Sequence, residues 1–410
     1  MSQSLLINPS AFEAGLEAAF LARSATNERQ AAAFERFARQ GLPNRRVEGW
    51  KWSDFNAALR AETAGAAEPA APAASDGSFA ALDALEISIV NGRIETPSEL
   101  PAGVRFGILD AVATIPELET HPIASLNVAM TRKAFALEVE EGVAFERPIL
   151  IRHRQAGSGF SFAQTMLRLC ENASATIIET FEGDGAGFYS HLVHGDLRDG
   201  ARLKRYVLDD AGARARTHSL FALKVDRARL DQTSLSFGGA LTRHESVIHF
   251  LSEGGSVNTT SASLLSGARH ADFTSHVLHR APACVARVLH KGVASGKARN
   301  VFQGKFEVDR AAQKTDAQMT ANALLLSDGA EANHKPELEI YADDVECAHG
   351  STAGALDEDA LFYLRQRGLS EAEARGLLIE AFVGEAIDAI DNDSIREVFA
   401  IRAKTAMETL

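Results

Sequence analysis

The sequence predicts a mainly β protein built as a parallel β-helix, a solenoid with α-helical regions at its N-terminal and C-terminal ends. Two observations carry that expectation. Breaks rich in small residues recur at Asn172, Gly200, Arg227, Gly255, Ala283 and Ala311, about 28 residues apart, and a second set at Gly185, Gly212, Gly239, Gly267 and Gly296 runs midway between them. Between breaks stand short apolar runs such as Glu86-Ile-Ser-Ile-Val90, Arg147-Pro-Ile-Leu-Ile-Arg152 and Ala175-Thr-Ile-Ile-Glu-Thr180, which carry strand signals. Two phased turns per period describe a flattened coil with two strands per rung, and such rungs bury a shared core only when stacked. A β-sandwich, the competing architecture, has no reason to sustain a double period. Small residues follow many breaks, as in Asn172-Ala-Ser-Ala and Ala283-Cys-Val-Ala, and suit the corners of a narrow coil. Cys170 and Cys284 sit in or beside such corners and read as small buried side chains.

Taken in order, residues 1–60 form an N-terminal helical region. Ser10 can cap a helix over 10–41, in which Phe12, Leu16, Phe20, Phe34 and Phe37 recur at helical spacing, and Gly41-Leu-Pro43 ends it. The following NRRVEGWKWSDF, residues 44–55, reads either as a packed connector that buries its indoles or as a binding segment. Residues 61–84 are rich in Ala and Pro with few large apolar side chains, hence a linker. Residues 85–355 are the solenoid and 356–410 a C-terminal helical region. There Asp357 can cap one helix, Ser370 with Glu373 makes a capping box for a second, and a third runs from about Asp393 to Met407, exposing Ile395, Val398, Phe399 and Ile401. Its apolar surface fits both a solenoid cap and a docking surface for a partner.

Composition narrows the function. Of 410 residues, 46% are hydrophobic and the net charge is −13, so the chain can bury a large core and offers no electrostatic footprint for nucleic acid. MSQSLLINPSAFEAG lacks the charged start and apolar run of a signal peptide, and no stretch approaches the roughly 20 apolar residues of a membrane span, so a soluble protein is expected. The 3 cysteines form no C-x-x-C pair, which fits reduced thiols and a cytoplasmic location.

Phosphate loops, G-x-G-x-x-G turns, G-x-S-x-G elbows and H-E-x-x-H helices are all missing from the sequence. His276 and His279 are close, but three apart on a strand they point to opposite faces. Asp343 and Asp344 raise the alternative of a carbohydrate-active β-helix enzyme, although 4 Tyr and 2 Trp make a poor sugar groove. Cys347 and His349 are two apart and share one face of an extended strand. Thiolate and neutral imidazole are both competent iron ligands. Two ligands cannot close a four-coordinate site, so a structural cysteine beside a surface histidine also fits.

GARHADFTSHVLH, KGVASGKARNVFQGKFEV, AAQKTDAQMTANALLLSDGAEANHKPELEIYADDVECAHGSTAG and LDEDALFYLRQRGLS, within residues 267–370, together resemble the SufB/SufD family of iron–sulfur cluster assembly proteins. The N-R-R-x-E-x-W-K-W-S-D stretch from Asn44 to Asp54 is similar to the SufD branch. The SufB branch carries a cysteine in the segment matching Ala312–Ser327 and a glutamate after the histidine matching His349. This chain has neither, Gly350 standing at the second position. The resemblance implies a right-handed parallel β-helix and a non-catalytic scaffold subunit that pairs with SufB through the β-helices. It also implies that the SufC ATPase binds the C-terminal helices. His349, with Cys347 as companion, is then a candidate ligand of transient iron or an Fe–S cluster at the SufB–SufD interface. Family complexes are associated with reduced flavin, for which no motif is visible here. A homodimer of the isolated chain and a plain self-associating solenoid stay open.

Overall fold

The computed structural model describes residues 5–410 apart from 25, 61, 63–64, 69–76, 96, 98, 110–117 and 184. Parts of the expected linker therefore lie outside the described residues. Among those described, the strands form two sheets, one of ten strands and one of nine. From Phe160 onward every strand pairs in parallel with the strand two positions earlier, because successive strands alternate between the sheets. This is the flattened parallel solenoid that the double period predicts, and the eleven small-residue breaks all fall between strands. Asn172 (φ 57°) and Gly200 (φ 74°) stack at one corner in the left-handed region, where Asn and Gly are tolerated best.

Period-two alternation divides the strand residues between three main cores, with two small clusters at the coil corners. Inward positions such as Ile151, Ile177, Leu203, Leu230, Val257, Ala286 and Ala317 join those of the facing sheet in one buried cluster along the coil. Outward apolar residues of the nine-stranded sheet, among them Phe160, Phe162, Phe188 and Leu220, are covered by N-terminal helices. The expected single helix over 10–41 is two, α1 (Ala11–Leu21) and α2 (Glu28–Gln40), each with a complete capping box, from Ser10 and Asn27. Asn27 lies inside the expected helix, and its competing side-chain hydrogen bond starts a second one. α3 (Phe55–Leu59) and α4 (Pro122–Met130) complete the cover. α4 was not anticipated within 85–355, because it is buried on all sides and shows no polar face to mark a helical period. At the start of the coil the strands Leu85–Val90 and Arg93–Glu95 form an antiparallel hairpin, and Val104–Leu109 runs antiparallel to Ala134–Val139.

The Asn44–Asp54 stretch is a packed connector. Trp50 is buried, and the Arg243 guanidinium lies 4.0 Å from its ring centroid. Arg243 also donates to Gly49 O (2.8 Å) and Asp272 Oδ2 (2.7 Å), and Ser53 donates to the same Asp272. Glu245 accepts from His218 Nε2 at 2.8 Å and His121 Nε2 at 3.2 Å, so this latch ties the N-terminal segment to three neighbouring strands.

Of the C-terminal helices, α6 (Glu371–Ile387) and α7 (Asp393–Met407) cover the outer face of the ten-stranded sheet, and α5 (Glu358–Gln366) packs on α6. Asp357 caps α5 and Ser370 with Glu373 forms the expected capping box on α6. One expectation is corrected: Ile395 and Phe399 are fully buried, packed with Ile390, Tyr206 and Leu235 against the sheet. The helical period locates an apolar face without saying what covers it. Ile401 is exposed, as are Phe362 and Tyr363 on α5 and Leu377 on α6.

Phe399→Ala should therefore destabilise the chain by about 3–5 kcal/mol in urea unfolding, while Ile401→Ala stays within about 0.5 kcal/mol. A second outcome follows from the imidazoles. Burial pushes His194, His218, His270, His276, His279 and His334 down to about 4, and His290 to about 3. Between these values and the unfolded value of about 6.5, the unfolded chain binds protons that the folded chain refuses. Stability is thus complete above about pH 6.5 and falls as pH drops toward 4, so the melting midpoint followed by circular dichroism should fall steadily across that window. A midpoint unchanged down to pH 4.5 would contradict the burial of these rings.

Candidate functional site

The strands Glu331–Ile340 and Glu346–Gly354 make the last rung, and each ends its sheet with one edge unpaired among the described residues. Register decides which side chains face inward. Cys347 pairs with Ala317, His349 with Met319 and Ser351 with Ala321, and all three lower residues are buried in the coil. Opposite them His334 pairs with Phe302 and Leu338 with Phe306, again core residues. Cys347 and His349 therefore share the inward face, as their spacing predicts. Positions buried one rung below are open here because the described chain stacks nothing above: His349 is exposed, and Cys347 is half-buried against Val308, Ala312 and Ala342.

His334, which the spacing argument missed, belongs to this face. Ser351 Oγ lies 2.9 Å from its Nδ1, and Asn300 Oδ1 lies 3.1 Å from its Nε2. Asn300 Nδ2 donates to Ser263 Oγ (2.6 Å) and to His290 Nε2 (2.9 Å), while His290 Nδ1 sits 2.9 Å from Ser261 Oγ. One proton assignment satisfies the chain: His334 donates from Nε2, Ser351 donates to His334 Nδ1, and His290 donates from Nδ1. A polar thread thus runs from the open end into the core. Gly292 makes room for it, since a Cβ there would overlap the Asn300 amide. The alternation of EANHKPELEI puts His334 on one face with Ala332, Pro336 and Leu338, and inter-strand register sets it one rung above Phe302.

The electrostatics suit a resting thiol. Burial, reinforced by Asp316 and opposed by the Ala317 backbone, pushes the Cys347 thiol up. Binding a soft metal would release its proton and turn it into a thiolate donor. The other sequence candidates lie elsewhere. Cys284 is buried at a corner and Cys170 is partly exposed at another. His279 stacks inside near Phe250 and Phe306, whereas His276 faces Glu307 on the outside, so the pair is split as expected. Asp344 is taken up by Lys314 at an exposed turn.

Comparison with known proteins gives the family. Residues 151–382 match the family described as SUF system FeS cluster assembly, SufBD core domain. The chain is 29% identical over 372 residues to the iron–sulfur cluster assembly protein SufD of Escherichia coli K12, covering 88% of each chain. It is 30% identical over 327 residues to the chloroplastic protein ABCI7 of Arabidopsis thaliana, covering 73% of this chain and 68% of the other. An iron–sulfur cluster assembly SufBD family protein of Synechocystis is 39% identical over 173 residues, 42% of this chain and 38% of that one. The fold, the matched core and the relatives together lead to one conclusion: the chain belongs to the SufBD family and takes part in iron–sulfur cluster assembly by the SUF system.

Proposed function

We propose that this chain is the non-catalytic partner subunit of a SUF assembly complex. Its last rung faces that of a SufB chain, and the two hold iron and sulfide while a cluster forms. ATP hydrolysis belongs to a SufC subunit docked on the C-terminal helices. The observation that carries the reading is the incomplete donor set, Cys347 with His349, on an inward face that none of the described residues covers. A second chain would supply both the missing ligands and the missing cover. The cluster is cargo, passed on rather than kept.

The two free edges differ. Strand Glu331–Ile340 carries Lys335, Pro336, Glu337 and Glu339, which discourage edge pairing. Strand Glu346–Gly354 presents Ala348, Gly350, Thr352 and Gly354 outward and is exposed along most of its length, which suits strand addition by a partner. The same edge would serve a homodimer of the isolated chain. On the helical side, exposed Phe362, Tyr363 and Leu377 offer apolar contact for the ATPase. No described helix is long and apolar enough to cross a membrane, and a cytoplasmic location belongs with this proposal. Reduced flavin gains no support from the site's chemistry or from the relatives, and no observation favours the carbohydrate-enzyme alternative.

In a reconstituted three-protein complex, His349→Ala should lower cluster yield about tenfold or more, with Cys347→Ser less severe. Unchanged yield in an intact complex would sink the role of His349. For the helices, the double substitution Phe362→Asp with Tyr363→Asp should abolish co-purification of the ATPase while the circular dichroism spectrum stays unchanged. Normal co-purification would move the docking surface elsewhere.

A further inference from the structure

We propose that the solenoid interior binds a divalent first-row transition metal ion between His153 Nε2, His191 Nδ1 and Glu179 Oε2. This site lies far along the coil from the last rung and is independent of the function proposed above. The three residues come from strands Ala144–Arg154, Ser174–Glu182 and Phe188–Leu197, and all point inward with side chains at most 2% exposed. Their three donor atoms lie within 4.8 Å of one another. Glu179 Oε2 is 3.7 Å from His153 Nε2 and 3.9 Å from His191 Nδ1, too long for hydrogen bonds. Both nitrogens are buried without a hydrogen-bond partner, an arrangement costly to leave empty. Four ligands at about 2.1 Å from an ion stand about 3.4 Å apart, so a small contraction closes the site.

The surroundings are those of a built site. His153 Nδ1 lies 2.7 Å from Tyr189 Oη and His191 Nε2 lies 2.9 Å from Thr165 Oγ1. A hydroxyl can donate or accept, so a bound ion would select the tautomers in which these far nitrogens donate to the two oxygens and both lone pairs turn toward Glu179, as in metal sites whose histidines are oriented by outer partners. Arg205 grips Glu179 through Nε (3.0 Å) and Nη2 (2.9 Å), fixing the carboxylate and balancing its charge. Imidazole and carboxylate donors without thiolate favour iron(II), cobalt(II) or zinc.

The chain offers its own contrast. His121, His218 and Glu245 also cluster, yet His121 Nδ1 accepts the Ala124 N–H that caps α4 (3.0 Å). Its proton is therefore on Nε2 and points at Glu245, leaving no lone pair for a metal.

Because the site is enclosed, the ion would enter as the chain folds. The test expresses the full chain in medium supplemented with zinc or with iron, strips the purified protein with EDTA and measures bound metal by mass spectrometry. The wild type should retain about one ion per chain. Cys347→Ser with His349→Ala should retain the same amount, and His153→Gln with His191→Gln should lose it. Anomalous diffraction from wild-type crystals, which needs no variant to fold, should place the ion between the three side chains. Metal-free wild type from both media, retention by the His153/His191 variant, or an anomalous peak elsewhere would overturn the proposal.

Discussion

Everything in this protein depends on the stacking register of its rungs. Each inward side chain sits on the residue paired with it one rung below, so the coil works as a column in which every layer is both floor and ceiling. Apolar layers satisfy this by contact. Polar layers satisfy it through hydrogen bonds, as where Arg205 bonds Glu179 and Gln232 or Asn300 bonds Ser263 and His290, and they leave over a few buried atoms such as His153 Nε2 and His191 Nδ1. The register also defines the ends, where a layer loses its ceiling.

The two ends of the column are treated differently. At the start, both sheets finish in antiparallel pairs, Leu85–Val90 with Arg93–Glu95 and Val104–Leu109 with Ala134–Val139, and the outer faces are covered by α4 with the N-terminal helices and by the C-terminal helices. At the finish, the inward face of strand Glu346–Gly354 is left uncovered with a thiol and an imidazole on it. An exposed inward face is a costly way to end a solenoid, since terminal rungs ordinarily need a cap for solubility. A partner that caps this face would remove that cost and complete the ligand set in one step.

Much of this was legible in the sequence, for physical reasons. Turn chemistry needs small residues at fixed intervals, so the double period revealed the architecture, and strand geometry put Cys347 beside His349. Caps at Ser10, Asp357 and Ser370 were readable because the residues that satisfy them lie within a turn. Long-range facts were not readable. α4 carries no periodic signal, being buried all round, and the burial of Ile395 and Phe399 depends on a sheet face formed by the distant strands that carry Tyr206 and Leu235. His334 joined Ser351, and His153 joined His191, through inter-strand register, which single-strand patterns do not encode.

If His349 on the open rung holds iron during cluster formation, as proposed, pulsed electron paramagnetic resonance on the reduced cluster of the reconstituted complex, with nitrogen-15 introduced only into this chain, should detect it. The expected result is a nitrogen-15 hyperfine coupling of directly bound imidazole that disappears in His349→Ala. A cluster that forms with no nitrogen-15 coupling, or whose coupling survives that substitution, would contradict it.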